Sequence, residues 1–109
     1  MNKMFHSDYN KFEKVLMCVF DGHIDTNLCL SYSPELQTII DKIKASEPSG
    51  EFEIIFDLKE VSYIASSFIR ICVNAAKQVP QGRFKIVNSN PYIKKTFKVV
   101  GLDELLKMN

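Results

Sequence analysis

Residues 52–87, FEIIFDLKEVSYIASSFIRICVNAAKQVPQGRFKIV, predict a strand, a helix and a second strand in succession. The segment 52–58 alternates phenylalanine and isoleucine on one face and adds further apolar side chains, the pattern of a central strand covered on both sides. The segment 68–79 is apolar nearly all round, which predicts a buried helix. Proline and glycine in 80–82 end that helix, and 83–87 supplies the next strand. A helix that connects two strands of one sheet favours parallel strands, so these two strands are predicted to run parallel, joined by a right-handed crossover.

Upstream of this unit, residues 14–20 (KVLMCVF) predict another buried strand, because the run is short and rich in β-branched and aromatic side chains. Asp21 and Gly22 follow it. Both are turn-forming residues, so we expect them to end the strand in a hairpin or tight bend.

The first helix is predicted to begin at Ser33. This residue is a preferred N-cap, Pro34 suits the first helical position, and Glu35 places an acid in the first turn. Apolar residues then recur at helical spacing, namely Leu36, Ile39, Ile40 and Ile43. Residues 45–50 contain a proline and a glycine, which end the helix in a loop.

A third helix is predicted after residues 88–91 (NSNP), which supply a cap and a proline for the first helical position. Gly101 ends it. Its predicted inward side chains are Tyr92, Ile93, Phe97 and Val100, and its predicted outward ones are Lys94, Lys95 and Lys98. Residues 102–108 predict a short terminal helix.

Alternating strands and helices in a chain of 109 residues predict an α/β (or α+β-like) fold, with a mixed sheet of four or five strands and helices packed on it. The length fits one domain, residues 1–109. The longest uninterrupted apolar run, 15–20, is far shorter than the roughly 20 residues of a membrane span, and residues 1–12 do not form a signal peptide. The chain is therefore expected to be cytoplasmic.

Cofactor and metal chemistry has little support in the sequence. Cys18, Cys29 and Cys72 are an odd number of widely spaced cysteines without a CxxC pair, so neither a disulfide framework nor a zinc site is expected. Cys18 and Cys72 lie in apolar segments and are interpreted as core residues. His6 and His23 stand apart from each other and from paired carboxylates, which favours surface or turn positions. We expect no cofactor and no bound metal.

Positive charge is unevenly distributed, although the net charge is only +1. No acidic residue occurs between Val61 and Leu102, whereas that stretch holds Arg70, Lys77, Arg83, Lys85, Lys94, Lys95 and Lys98. One interpretation is a set of solvated faces on separate elements, and the other is a surface that attracts anions or an acidic partner. A net charge this small gives no reason to expect nucleic acid binding.

Ser66 and Ser67 lie where a strand leads into the N-terminus of the buried central helix. Unpaired backbone N–H groups and the helix dipole favour negative charge at such a position. One serine is expected to be the N-cap, and the alternative is an exposed hydroxyl that acts as a nucleophile, a phosphate acceptor or an anion contact. The serines lack the flanking glycines of a nucleophile elbow, and no histidine follows His23. The sequence therefore does not predict an enzyme.

A longer pattern includes these serines. Its most specific part is residues 56–67, FDLKEVSYIASS, and it is supported by 21–25 (DGHID), 84–88 (FKIVN) and 100–102 (VGL). From residue 15 to residue 106, the chain resembles the STAS domain family, which includes the bacterial anti-sigma-factor antagonists and related domains of anion transporters. The resemblance implies a STAS-like fold and a non-catalytic role in signal transduction by partner switching.

The resemblance also implies a form of regulation. In the antagonists, the unphosphorylated domain binds an anti-sigma factor that is also a serine kinase, and phosphorylation at the start of the central helix breaks that complex. Aligned with this motif, Ser67 takes the phosphoacceptor position and Ser66 is its neighbour. The antagonists usually have Asp-Ser-Ser-Gly here, whereas this chain has Ala65 in place of the acid and Phe68 in place of the glycine.

The sequence thus predicts a partner-binding surface of Asp21, Asp25, Ala65, Ser66, Ser67, Phe68 and Arg70. Phe68 is expected to be exposed, since an apolar ring beside polar residues is typical of an interface centre. One alternative is a small-anion or nucleotide-binding domain that adds Lys94, Lys95 and Lys98 to the helix start. Another is a constitutive STAS scaffold subunit without phosphoregulation. The expected partner is a protein, with an anti-sigma factor or serine kinase as the candidate, and the chain is expected to be a monomer or weak dimer.

Overall fold

The computed structural model describes residues 5–103 and residue 106. The elements are β1 (Phe5–Asn10), β2 (Val15–Ile24), α1 (Thr26–Ser46), β3 (Glu53–Ile64), α2 (Ser66–Ala76), β4 (Phe84–Val87) and α3 (Pro91–Val99). The strands form a four-stranded sheet in the order β1-β2-β3-β4. β1 runs antiparallel to β2, whereas β2, β3 and β4 are parallel. The predicted mixed sheet and the parallel pairing within residues 52–87 are therefore confirmed.

One face of the sheet forms the hydrophobic core with the helices. Leu16 and Phe20 on β2 and Ile54 and Phe56 on β3 are fully buried on this face. The rings of Phe20 and Phe56 pack edge to face with centroids 4.9 Å apart, and Phe68 of α2 packs against both rings. Large aromatic side chains contribute much of the hydrophobic stabilisation of a small core.

The opposite face of the sheet is only partly covered. Met17, Val19 and Ile55 lie on it and are half-buried. The prediction that β3 is covered on both sides is therefore wrong. Glu53 and Asp57 flank Ile55 on the same face, so this face of the strand is mixed polar and apolar and needs no second layer of helices.

β2 continues through Asp21 and Gly22 to Ile24, so the predicted turn at this point is wrong. Its pairing with β3 shifts register between Val19 and Asp21 and again between Gly22 and His23. Gly22 has a φ of 85°, a left-handed conformation that glycine adopts readily and that suits a β-bulge. The turn-forming pair therefore distorts the strand without ending it.

α1 begins directly after Asp25, well before the predicted start at Ser33. The carboxylate of Asp25 accepts a hydrogen bond from the amide of Leu28 at 2.9 Å and so provides the N-cap. Pro34 lies inside the helix, and because proline has no N–H, the carbonyl of Leu30 lacks its usual helical donor. The buried stripe, which includes two residues before the predicted start, is Cys29, Tyr32, Leu36, Ile40 and Ile43. Burial of this longer stripe outweighs the start signal at Ser33.

α3 begins where the sequence predicts it. Asn90 caps the helix by accepting from the amide of Ile93 at 2.8 Å, and the buried Ile93 and Phe97 confirm the inward face. Tyr92 and Val100 are 58% and 52% exposed, so their predicted inward positions are wrong. Ile93 and Phe97 are four residues apart and define a narrow contact face, which Tyr92 and Val100 lie outside. The predicted outward side chains, Lys94, Lys95 and Lys98, are exposed.

A buried carboxylate joins the edge strand to the end of α1. Glu47, the C-cap of α1, is only 9% exposed and accepts a hydrogen bond from the hydroxyl of Tyr9 on β1. The ammonium of Lys14 lies 3.6 Å from the same carboxylate. Partial desolvation of the phenol, together with the hydrogen bond and the charge of Glu47, raises the pKa of Tyr9 to about 12. This cluster holds the edge strand to the helical layer.

The predicted terminal helix over 102–108 falls partly outside the described residues. Residues 102, 103 and 106 are not helical, and the side chain of Leu106 is buried in the core. Within the described ranges, no helix combines the length and the apolar character that crossing a membrane requires.

Candidate functional site

The carboxyl ends of β2, β3 and β4 lie at the same edge of the sheet because these strands run parallel. A helix begins after each of them, so three helix starts meet at this edge. The amide of Ala65 donates to the carbonyl of Ile24 at 2.8 Å, and Nδ2 of Asn90 donates to the carbonyl of Val61 at 3.2 Å. We call this region the carboxyl edge. In open α/β sheets, ligands bind outside the carboxyl ends of the strands.

The three helix starts differ in their capping. Asp25 caps α1 and Asn90 caps α3, but the N-cap of α2 is Ala65, which has extended backbone and no side-chain acceptor. The prediction that Ser66 or Ser67 caps α2 is therefore wrong. Both serines lie within the first turn of the helix, beyond the capping position. The first amides of α2 have no side-chain cap, which makes the surrounding potential favourable for an anion.

Ser66 and Ser67 differ in accessibility although they are adjacent. Ser66 is exposed, whereas the Oγ of Ser67 has no exposed surface and no hydrogen-bond partner among the residues that the structure describes. The Ser67 hydroxyl lies beside the thiol of Cys29 on α1, in a contact that lacks hydrogen-bond geometry. Burial raises the pKa of Cys29; the Ser67 hydroxyl opposes this rise and Asp25 adds to it. Ser66 therefore presents the accessible hydroxyl of the pair.

Phe68 is fully buried, so the prediction of an exposed ring at the centre of an interface is wrong. Its ring centroid lies 5.1 Å from that of Phe20 and 6.0 Å from that of Phe56. The helical spacing explains the error, because Phe68 begins the buried stripe that continues with Ile71, Cys72 and Ala75. Ala65 is only 8% exposed and contributes little to the surface.

A groove of about 350 Å³ lies between α1 and α2, next to these serines. Leu30 and Pro34 of α1 and Ser67, Arg70 and Ile71 of α2 contribute to its walls. Leu30 is a large apolar side chain and is 72% exposed. Arg70 is exposed and forms no ion pair with any described residue. The groove thus combines an exposed apolar side chain with an unpaired positive charge.

Leu30 is the site residue that the sequence analysis missed. Its exposure follows from the sequence only if α1 is known to include it. Leu30 then lies between the buried Cys29 and Tyr32 in sequence but outside the stripe that they form on the helix. Arg70, which the sequence analysis included, lies in the same groove. Both residues therefore belong to one continuous surface at the carboxyl edge.

The two predicted aspartates have different surroundings. Asp25 is half-buried and occupied as the cap of α1, whereas Asp21 is exposed on the last part of β2. The hydroxyl of Tyr32 is buried without a hydrogen-bond partner in the described part of the chain. Burial raises the pKa of Tyr32, and nearby acidic groups, Asp21 and Asp25 among them, raise it further. Asp21 is therefore the aspartate with a free carboxylate for a partner.

Other predicted site residues lie elsewhere. The three lysines of α3 do not line the groove. Cys18 and Cys72 are buried free thiols, which confirms their assignment to the core, and burial raises the pKa of Cys18 to about 12. His23 is exposed and stacks on Tyr63 with ring centroids 4.3 Å apart. In residues 5–103, no three His, Cys, Asp or Glu side chains are grouped so that they could hold a metal ion.

Comparison with known proteins identifies a matching family and a related protein. Residues 11–109 match the model of the STAS domain. A protein of Bordetella bronchiseptica, BtrV, which is described as a candidate anti-sigma factor antagonist, is 24% identical over 94 residues; the match covers 84% of this chain and 75% of that protein.

Solved structures share the fold. The anti-sigma factor antagonist SpoIIAA in its unphosphorylated form superposes with a TM-score of 0.68 and 15% identity, over 96% of this chain and 86% of that one. An anti-sigma factor antagonist from Mycobacterium paratuberculosis gives a TM-score of 0.68 and 19% identity, over 95% and 82% of the two chains. The phosphorylated form of the Bacillus protein SpoIIAA gives a TM-score of 0.68 and 17% identity, over 96% and 90%.

Proposed function

The chain belongs to the STAS domain family, and from this membership we propose that it is a single-domain regulator that binds a protein partner in the manner of an anti-sigma factor antagonist. Its fold is that of the solved antagonists, and its relative BtrV is described as a candidate member of the same class. We propose binding as its activity, without catalysis. The candidate partner is an anti-sigma factor with serine kinase activity.

The observation that supports this proposal best is the groove between α1 and α2. Leu30 offers an exposed apolar side chain and Arg70 an unpaired charge, and Ser66 lies at the start of the same helix as Arg70. Protein interfaces commonly combine an apolar anchor with a charge that selects the partner, and Ser66 adds a position where a modification can break the contact. In this proposal Leu30 is the apolar anchor of the interface, because Phe68 is buried.

Regulation by phosphorylation is the second part of the proposal. A phosphate adds nearly two negative charges. The uncapped start of α2 tolerates such a charge, while a partner that presents a carboxylate to Arg70 is repelled. Resemblance to the family favours Ser67 as the acceptor, but its Oγ is enclosed. A kinase can reach Ser66 in the folded chain, and reaches Ser67 only after the first turn of α2 opens.

Affinity capture from the native host tests the partner-binding surface. We expect the wild-type chain to retain a sigma regulator, identified by mass spectrometry, and Leu30→Ser and Ser66→Asp to lose it. Phe12→Ser is the matched control, because Phe12 is 90% exposed and does not line the groove. With the purified partner, the Leu30 variant is expected to bind at least about tenfold more weakly. If all four chains retain the same partners, the groove is not the interface and the chain is a constitutive scaffold.

Phosphorylation is tested separately with the captured kinase and a nucleoside triphosphate. Mass spectrometry of the wild-type chain, Ser66→Ala and Ser67→Ala identifies the acceptor. If the double variant Ser66→Ala, Ser67→Ala accepts phosphate as well as the wild-type chain does, neither serine is the acceptor and the phosphorylation part of the proposal fails, while the binding part stands.

A second candidate function is small-anion or nucleotide binding at the uncapped start of α2. The free amides there are the observation in its favour. Isothermal titration calorimetry with nucleotides tests it. Heat that disappears when Ala65→Asp supplies an acidic side chain at the cap would support this function, and the absence of heat would exclude it.

A further inference from the structure

α3 carries an exposed apolar stripe on its outer face. Tyr92 is 58% exposed and Val99 is 76% exposed. These residues are seven positions apart, which places them about two helical turns, or about 10 Å, from each other on the same side of the helix. Val100, 52% exposed, extends the stripe past the helix end. Five large hydrophobic side chains are exposed in the described chain; two of them, Tyr92 and Val99, lie on α3, and a third, Val100, is its C-cap.

Lysines accompany this stripe. Lys94, Lys95 and Lys98 are exposed, and none of them forms an ion pair with a described residue. Lys95 follows Tyr92 by three residues and precedes Val99 by four, so its side chain borders both members of the stripe. The sequence has no acidic residue between Val61 and Leu102.

We propose that this outer face of α3 is a docking surface for an acidic amphipathic helix of a protein partner. The exposed Tyr92 and Val99 would pack against apolar side chains of that helix, and the three lysines would pair with carboxylates on its flanks. Tyrosine is enriched in the energetically important centres of interfaces, and complementary charge directs the encounter and selects the partner.

A protein partner fits this face better than a membrane or a nucleic acid does. α3 has nine residues and exposes a tyrosine and valines, whereas helices that lie in a membrane surface bury a longer apolar face rich in Trp, Phe and Leu. The chain has a net charge of only +1, whereas nucleic acid binding domains are usually strongly basic. None of the α3 residues lines the groove between α1 and α2, so this surface is separate from the proposed antagonist site.

The absence of tryptophan from the chain provides a direct assay. Tyr92→Trp places the only indole of the 109-residue chain on the stripe. The probe is a synthetic helical peptide of about sixteen residues without aromatic residues, with leucines on one face and glutamates on both flanks. We expect the peptide to shift the tryptophan emission to the blue. The same peptide with glutamine in place of glutamate is expected to bind about tenfold more weakly.

Charge reversal on α3 is the decisive comparison. In the Tyr92→Trp background, Lys94→Glu, Lys95→Glu and Lys98→Glu together are expected to weaken peptide binding at least about tenfold. The matched control is Lys11→Glu, Lys42→Glu and Lys59→Glu, which makes the same change in net charge at exposed positions outside α3. The control is expected to change binding less than about threefold at physiological salt, where distant charges are screened.

Three results would overturn the proposal. Equal loss of binding in both triple variants would show attraction to net charge alone. Absence of any emission shift with the acidic peptide would show that the stripe does not dock a helix. A shift with phosphatidylglycerol vesicles but not with the peptide would identify a membrane contact instead.

Discussion

The hydroxyl of Ser67 lies against the thiol of Cys29 on the facing helix, and its oxygen has no exposed surface. The neighbouring Ser66 is exposed to solvent. Two adjacent hydroxyls at the start of one helix therefore have opposite surroundings. Negative charge at the two positions should have different effects on the fold, because the Oγ of Ser67 is enclosed whereas Ser66 is exposed.

Ser67→Asp is predicted to lower the free energy of unfolding by more than about 2 kcal/mol, because it forces a carboxylate against a buried thiol without a partner. Ser66→Asp is predicted to leave stability unchanged or to raise it by about 0.3–1 kcal/mol, because an acid in the first turn interacts favourably with the helix dipole. Urea unfolding followed by circular dichroism measures both. Equal stability of the two variants would show that Ser67 is not enclosed, and Ser67→Asp would then be a valid mimic of phosphorylation.

Phe68→Ala is predicted to destabilise the protein by about 3–5 kcal/mol, because it removes a fully buried ring that packs against Phe20 and Phe56. Phe12→Ala is the control, since that ring is 90% exposed, and it is predicted to change stability by less than about 0.5 kcal/mol. Chemical denaturation compares the two. A small effect of Phe68→Ala would contradict its burial and return the ring to the partner surface.

Ala65→Ser is predicted to raise the free energy of unfolding by about 0.5–1 kcal/mol. Residue 65 has φ −80° and ψ 161°, the backbone of an N-cap, but alanine has no acceptor for the amides of α2. Serine adds one oxygen and little volume, which suits a position that is 8% exposed. Asp25→Ala and Asn90→Ala remove the caps of the other two helices and are predicted to cost about 1 kcal/mol each. Thermal unfolding measures the stability of all three variants. If Ala65→Ser is no more stable than the wild type, the added hydroxyl does not fit the local packing.

The hydrogen bond from Tyr9 to Glu47 predicts a loss of stability at high pH. The pKa of Tyr9 is raised from 10.0 to about 12 in the folded chain, so its contribution is complete below pH 10 and disappears as the pH rises through about 12. Tyr9→Phe is predicted to be less stable than the wild type at neutral pH, because the carboxylate loses a donor, and the difference should vanish above pH 12. Urea midpoints across this range measure it. Tyr92→Phe, at an exposed position, is the control for the loss of a hydroxyl.

Much of the fold follows from local patterns in the sequence. The strand-helix-strand unit in 52–87 and the cap of α3 at Asn90 appear where the sequence predicts them, because periodicity and capping chemistry agree there. The start of α1 was predicted wrongly because Ser33 and Pro34 form a complete start motif inside the helix. Asp25 is a competing local start signal, and burial of Cys29 and Tyr32 shows that the helix extends back to it.

The candidate site was predicted less well than the fold. Arg70 and Ser66 follow from the motif around the helix start and are exposed as expected. Phe68 was predicted to be the exposed apolar residue of the site because it is next to the serines in sequence. Successive residues of a helix point about 100° apart, so neighbours in sequence need not share a surface. Leu30 comes from another helix, and its place beside Arg70 depends on how α1 packs on α2. Contacts of this kind between distant segments have no local signature in the sequence.

The order of strands in the sheet has a consequence for synthesis on the ribosome. Each strand pairs with the one made just before it, in the order β1-β2-β3-β4. No strand must be inserted between two that have already paired, so the sheet can grow at one edge as the chain emerges. Both walls of the groove, α1 and α2, are complete before β4 is made. Nascent chains that end shortly after Ala76 therefore already contain every residue of the proposed partner surface, and β4 and α3 add the final strand and the lysine-bearing helix.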